Sequence, residues 1–253
     1  MASKKLQIEI NADDFGRSAT ANAGIIAAFR QGLVTSTSIM ANMPGYSEAC
    51  DQIREYAFIR NVGVHLNVTE GKPLTDAIRD FPVFCNENGL FYITRWKARA
   101  AFTSKEKTAL DEEVDAQIQK CLDDGIHPCK VDSHMHRHTN WEMGRIVIDA
   151  ARKFNIPSVR LCGNCRQQNM LRRVFVMAYN YRLRLARLAG HQFFGAVADL
   201  NRCRNRLRGK VEVMVHPVLS SEGFLLDAES GRPLTEHVGW FRKFARPEVS
   251  DDA

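Results

Sequence analysis

Leu6-Gln7-Ile8-Glu9-Ile10-Asn11-Ala12-Asp13-Asp14-Phe15-Gly16 opens with a short β-branched run and ends in a polar cluster. The run Leu6–Ile10 is strand-like, and Gly16 marks a turn after the polar residues. Five further runs of this kind follow: Leu33–Ile39, Val62–Leu66, Lys130–Ser133, Ile156–Leu161 and Val211–Val215. Pro157 weakens the fifth, because proline is tolerated at the start of a strand but not at its centre. Helical patterns lie between most of the runs. Thr20 to Gln31 is one, stopped by Gly32; Ser47 to Tyr56, Ser104 to Asp124 and Trp141 to Phe154 are others. Ser104 is the expected N-cap of the third. The first three strand centres, near Ile8, Ser36 and Val64, fall roughly 28 residues apart, and the pair near Val131 and Val159 repeats that interval, the pitch of βα units. The expected fold is therefore α/β, a parallel sheet or barrel, within one domain spanning 1–253.

Two stretches break the rhythm. Residues 67–103 hold Gly71, Pro73, Pro82 and Gly89 and read as an irregular excursion with the character of a lid. Residues 162–210 read as a helical, arginine-rich insertion. There Leu171, Val174, Ala178, Tyr181, Leu185 and Leu188 share one helical face, with Arg173, Asn180, Arg184 and Arg187 on another. The tail 246–253 is polar and acidic and is expected to be loose.

With 45% hydrophobic and 25% charged residues, a chain of 253 has the balance of a globular protein able to bury a sizeable core. No apolar run has the length of a signal or a membrane span, so the default compartment is the cytoplasm. Seven scattered cysteines argue against a disulfide framework, and the lone Cys162/Cys165 pair reads as ordinary thiols. Net charge is +6, but residues 160–210 alone carry 12 Lys/Arg against one acid, Asp199. A segment that basic suits phosphate, an anionic membrane surface or plain solvent. No nucleic-acid motif or stacking cluster accompanies it, so no nucleic-acid partner is expected.

The chemistry sits just past the strand ends. Asn11, Asp13 and Asp14 follow the first run, His65 and Asn67 the third, Asp132, His134, His136 and His138 the fourth, Arg160 the fifth and His216 the last. In parallel α/β folds this rim is where active sites are built. His134, His136 and His138 would share a side if the segment stayed extended. Together Asp14, His65 and His134 make a two-His, one-Asp ligand set with open positions, able to hold a metal that acidifies water and polarises a carbonyl.

At these residues the sequence resembles the YdjC-like carbohydrate deacetylases of the chitooligosaccharide deacetylase type. The matching stretches are Asn11 to Gly16, Asn22 with Gly24 and Ile25, Gly32 to Thr37 with Asn42, Gly63 to Asn67, Gly71 to Leu74, Lys130 to His134 and Glu212 to Pro217. Phe193-Phe194-Gly195 resembles a family loop, while Met135 interrupts a histidine run that the family often keeps. The resemblance implies an irregular TIM-like (β/α) barrel that removes the acetyl group from an N-acetylated sugar with a divalent metal. It matches Asp14, His65 and His134 to the metal ligands, Asp13 to the general base and His216 to the general acid. Arg160, His136 and Asn67 are the expected substrate contacts, with a simple ion pair equally open for Arg160.

The ligand set suits zinc, iron or cobalt on chemical grounds, and magnesium fits the family. The substrate is expected to be an oligosaccharide or carrier-linked glycan. The basic helix adds peripheral contact with an anionic membrane or lipid-linked substrate, and a homodimer is expected by base rate alone. Two alternatives stay open: another metal-dependent amidase on the same barrel, and an inactive scaffold.

Overall fold

The computed structural model describes residues 5–92, 102–166 and 168–245. The expected loose tail, 246–253, lies outside the described residues. Six strands, β1 (Gln7–Phe15), β2 (Ser36–Ile39), β3 (Val62–Leu66), β4 (Val131–Ser133), β5 (Phe193–Ala196) and β6 (Lys210–Val215), form one sheet in the order β4-β3-β2-β1-β6-β5. Every pairing in it is parallel. Parallel neighbours need crossovers. These run through α1 (Ala19–Arg30), α2 (Tyr46–Glu55), α3 (Ser104–Asp123), α4 (Trp141–Lys153), α5 (Met170–Leu185) and α6 (Val197–Arg202). A hairpin of β7 (Pro217–Leu219) and β8 (Leu225–Asp227) and the short α7 (Leu234–His237) follow.

The sheet curls into half a barrel rather than a closed one. Between β4 and β5 the continuous ladder gives way to single bridges, Val131 with Val159 and Val159 with Ala189. The expected strand at Ile156–Leu161 is reduced to that one residue. Phe193–Ala196, which resembled a loop, is instead an edge strand paired with β6. The stretch 162–210 is thus not a purely helical insertion, since it supplies part of the main sheet.

Local chemistry accounts for most element boundaries. Ser18 caps α1 by accepting from the Ala21 amide. The cap of α3 is Thr103 rather than Ser104: its hydroxyl accepts from the Glu106 amide while Glu106 accepts from the Thr103 amide, a capping box one residue earlier than expected. Asn140 caps α4 through the Glu142 and Met143 amides. The described part of the 67–103 excursion is packed rather than free. Glu113 of α3 accepts from the Leu74 and Thr75 amides, and Ile78 and Phe84 are fully buried.

Along β1, Ile8, Ile10 and Ala12 enter the hydrophobic core and alternate with Glu9, Asn11 and Asp13. The polar set faces polar partners: Ser36 donates to Glu9 and Asn11, and Asn11 donates to Ser38. The interior of the half-barrel is therefore polar, and its apolar core lies in the layer between sheet and helices.

Cysteine usage departs from the sequence reading. Cys165 and Cys203 form a disulfide, and Cys50, Cys85, Cys121, Cys129 and Cys162 are free. The two partners lie 38 residues apart, a separation that sequence alone gave no reason to close. Thiol titration of the oxidised protein in denaturant should find five reactive groups, and seven after reduction. Closing a loop of this size stabilises by about 4 kcal/mol in the chain-entropy account, so Cys203→Ser should lower the unfolding midpoint by several degrees.

Candidate metal centre

The site begins with an irregularity in β1. Its register against β2 shifts between Ala12 and Phe15, a bulge, and Asp14 takes a left-handed φ of 71°. In a regular strand Asp13 and Asp14 would point to opposite faces. The bulge instead gives each its own partners on the same rim.

Asp13 turns to Arg160. Both of its oxygens accept from the guanidinium at 2.7 Å. Arg160 also meets Asp132 at 2.6 Å and donates to Glu212 at 2.9 Å, and its guanidinium lies 4.8 Å over the Phe194 ring. Lys130 extends the cluster, bonding Glu212 at 2.9 Å and closely contacting Glu9, which in turn meets His191 at 3.0 Å. Gly63 makes room for this: a Cβ there would stand 2.6 Å from Lys130 Cγ. Burial alone would raise the Asp13 pKa, but Arg160 outweighs it and holds the carboxyl well below the usual carboxylate range.

Asp14 turns to the histidines. Its Oδ1 lies 2.9 Å from His134 Nδ1 and 3.3 Å from His65 Nε2. Burial works against its charge, yet the two histidines outweigh that and hold its pKa far down. Behind His65, Asp132 accepts from Nδ1 at 2.7 Å. Burial would lower the His65 pKa, but Asp132 and Asp14 push it up to about 10. Ligand atoms of Asp14, His65 and His134 lie within 4.8 Å of one another, so one cation could touch all three.

Two features fit a divalent ion. The carboxylate behind His65 leaves Nε2 facing Asp14, the carboxylate–histidine–metal arrangement. The interior also carries excess negative charge: among the described residues, the carboxylates Glu9, Asp13, Asp14, Asp132 and Glu212 surround two buried cations, Lys130 and Arg160. Arg17, 3.2 Å from Asp14 at the rim, offsets part of it.

The other expected residues separate. The histidine segment is not extended, because Met135 and His136 take left-handed φ near 50°. His138 is buried against Ser133 Oγ at 2.7 Å. His136 lines a cavity of about 510 Å³ together with Asp13, Asp14, His65, His134 and His216. Burial and the nearby Arg160 charge push the His136 pKa down to about 4, leaving a neutral ring at pH 7. His216 directly follows β6, its amide donating to Asp227 at 2.8 Å. Arg160 and Asn67 do not line this cavity. Arg160 is fully buried, its donors engaged by carboxylates. The Asn67 amide group bonds Asn42, the Glu70 carbonyl and Thr69, organising the loop after β3.

Sequence reading gave no role to Glu9, Lys130 or Glu212, and placed Asp132 on the rim without giving it one. Their signal was present: charged residues at alternate positions of apolar strands have to be paired if buried. Arg160→Met should cost about 3–5 kcal/mol at neutral pH, because it strands buried carboxylates. In the native protein the lowered Asp13 and Glu212 pKa values stabilise the fold above the unfolded value near 4, and that contribution fades as pH falls. In the variant the unpaired carboxyls titrate upward instead and gain from protonation. The stability gap between the two, read from denaturant midpoints, should narrow from pH 7 to pH 5.

Residues 7–245 match the family described as YdjC-like protein. A carbohydrate deacetylase from Geobacillus stearothermophilus is 34% identical over 148 residues, 58% of this chain and 57% of that one. One from Halalkalibacterium halodurans is 35% identical over 153 residues, 60% of this chain and 62% of its own length. The alignments thus span less than two thirds of these relatives. A carbohydrate deacetylase from Brevibacillus brevis aligns more fully, at 28% identity over 92% of this chain and 90% of its own. In fold, the chain resembles a crystal structure of a candidate cellobiose-phosphate cleavage protein from Enterococcus faecalis, with TM-score 0.69, 23% identity and coverage of 86% and 83%. With its motifs, its half-barrel and this match over nearly the whole described length, the chain belongs to the YdjC-like protein family.

Proposed function

We propose that this protein is a metal-dependent hydrolase that removes the acetyl group from an N-acetylated sugar, free or carrier-linked. The observation that carries the reading is one cavity whose rim holds Asp14, His65 and His134 beside an Arg160-paired Asp13, with His216 also lining it. The carbohydrate deacetylases among its relatives support the substrate class.

In this reading Asp14, His65 and His134 hold the ion, magnesium or zinc, and Asp132 fixes the His65 ring. Bound there, a divalent ion would polarise the acyl carbonyl and lower the pKa of water, help that a base as weak as the Arg160-paired Asp13 needs. Asp13 accepts the proton of the attacking water. Arg160 keeps Asp13 ionised and fixes its direction, a positioning role in place of the substrate contact expected from sequence. His216 gives a proton to the departing amine. The neutral His136 ring offers substrate one donor and one acceptor.

Acetate release from a panel of N-acetylated sugars, with and without chelator, tests the reading. Release should require metal and vanish in His134→Ala. Asp13→Asn should lose about 10²–10⁴-fold in kcat while metal content, measured by atomic absorption, stays at the native level. Asp132→Asn should weaken metal affinity by about 10–100-fold. Metal bound at the native level with no acetate released from any sugar would sink the deacetylase assignment.

A further inference from the structure

Helix α5 is built with its apolar stripe facing out. Its inward side is Val176, Tyr179, Asn180 and Leu183, all buried. The opposite side carries Met170, Val174, Met177, Tyr181 and Leu185 at helical spacing, with Leu171 beside them. Met170 is 75% exposed, Leu171 82%, Met177 68% and Leu185 66%. The apolar side of a surface helix normally meets the core, and contiguous exposed apolar surface of this kind marks an interaction site. The helix itself is held firmly. The Tyr179 hydroxyl donates to the His138 carbonyl at 2.5 Å, and a Cβ at Gly144 of α4 would stand 2.6 Å from the Tyr179 ring.

Arginines flank the stripe. Arg173 and Arg184 lie along one edge, and Arg182 on the other reaches over the half-exposed Trp141 ring at 5.0 Å. Beyond the first edge is a second cavity, of about 620 Å³, between α5 and the Cys165–Cys203 staple. Arg166, Arg173, Arg202 and Arg206 line it, and Met177 belongs to both cavity and stripe. The only acid in residues 160–210 is Asp199, which bonds Arg202 at 3.0 Å.

From this arrangement we infer that α5 seats the protein on an anionic lipid surface, its apolar stripe entering the acyl boundary and the arginine-lined cavity receiving lipid phosphate. Apolar residues on one face with arginines along the edges is the pattern of a helix that lies in a membrane interface. Arginines at the borders keep their charge among headgroups while their stems cover apolar surface. The protein lies on the bilayer rather than spanning it, since among the described residues no helix is long and apolar enough to cross. Charge argues against a second copy of the chain as occupant, because twofold pairing of two such faces would set arginine against arginine, and Asp199, the one acid of residues 160–210, is already bonded to Arg202. A nucleic acid would leave the apolar centre without a partner. His138, on which α5 rests, belongs to the same short turn as His134, so docking here holds the metal-centre loop near the bilayer. The inference does not depend on the deacetylase reading.

Vesicle sedimentation at low salt tests it with the full chain. Protein should pellet with phosphatidylcholine vesicles containing phosphatidylglycerol, remain in solution with phosphatidylcholine alone, and release as salt rises. Leu171→Ser with Met177→Ser should cut the partition coefficient by at least about tenfold, and so should Arg166→Gln with Arg206→Gln away from the stripe. These side chains are exposed or line an open cavity, so matching thermal melts would exclude misfolding. Equal pelleting with both vesicle types and all variants would overturn the inference. So would binding of inorganic phosphate by calorimetry without any pelleting, which would make the cavity a soluble-anion site. A dimer in light scattering that the serine variants split, again without pelleting, would assign the stripe to a second copy instead.

Discussion

A guanidinium with no water around it must find its solvation in the protein, and Arg160 finds it in three carboxylates from three different strands. Asp13 comes from β1, Asp132 from β4 and Glu212 from β6. Burying these ions separately would cost several kcal/mol each. They persist only as a set, so the set fixes where the strands lie. The location matters because the sheet is weakest there. Between β4 and β5 the ladder shrinks to the single residue Val159, next to Arg160. The Arg160 amide continues the backbone link to Val131, and its side chain then ties the gap to β1 and β6. Ion pairs do at this seam what ladder hydrogen bonds do elsewhere in the half-barrel.

The same cluster gives the two neighbouring aspartates different characters. Asp13 and Asp14 are adjacent in sequence, yet one is clamped by the buried Arg160 and the other bonds two imidazoles, with Arg17 at the rim. The bulge in β1 separates them, at the strain of a left-handed Asp14. That strain persists because both side chains are satisfied where the bulge sends them. Asp132 connects the halves, with one oxygen on His65 and the other near Arg160. Geometry at the histidines is therefore set by the charge balance beneath them. Replacing Arg160 would disturb the His65 side chain through Asp132 without touching His65 itself.

Much of this was legible in the sequence, for identifiable reasons. The strands at Ile8, Thr37, Val64, Val131 and Val213 were visible because apolar β-branched runs are short and regularly spaced. The rim residues followed from them, since polar side chains at the ends of parallel strands converge by topology. Asp14, His65 and His134 do meet. What was not legible depends on contacts distant in sequence. Phe193–Ala196 contains no β-branched residue and carries a glycine, and only pairing with β6 makes it a strand. The left-handed turn at Met135 and His136 has no local signal such as glycine, so an extended segment was the default expectation. Whether Arg160 faced substrate or an acid could not be read from one arginine. It required knowing that Asp13, Asp132 and Glu212 share its pocket.

Helix α5 shows a different limit. Periodicity reports that a helix has two unlike faces but not which of them the core will take. Here the face richer in Met, Leu and Val lost that place to Tyr179, Asn180 and Leu183. Asn180 is the deciding residue, because it accepts from the Cys162 amide and donates to the Cys162 carbonyl, satisfying a buried loop that no apolar side chain could serve. Tyr179 adds the bond to His138. Rotating the helix to bury its apolar stripe would leave those backbone groups unpaired, at a desolvation cost comparable to the hydrophobic gain. The polar groups of the histidine and Cys162 loops thus set the helix orientation, and the exposed stripe follows from the construction of the loops that carry the site.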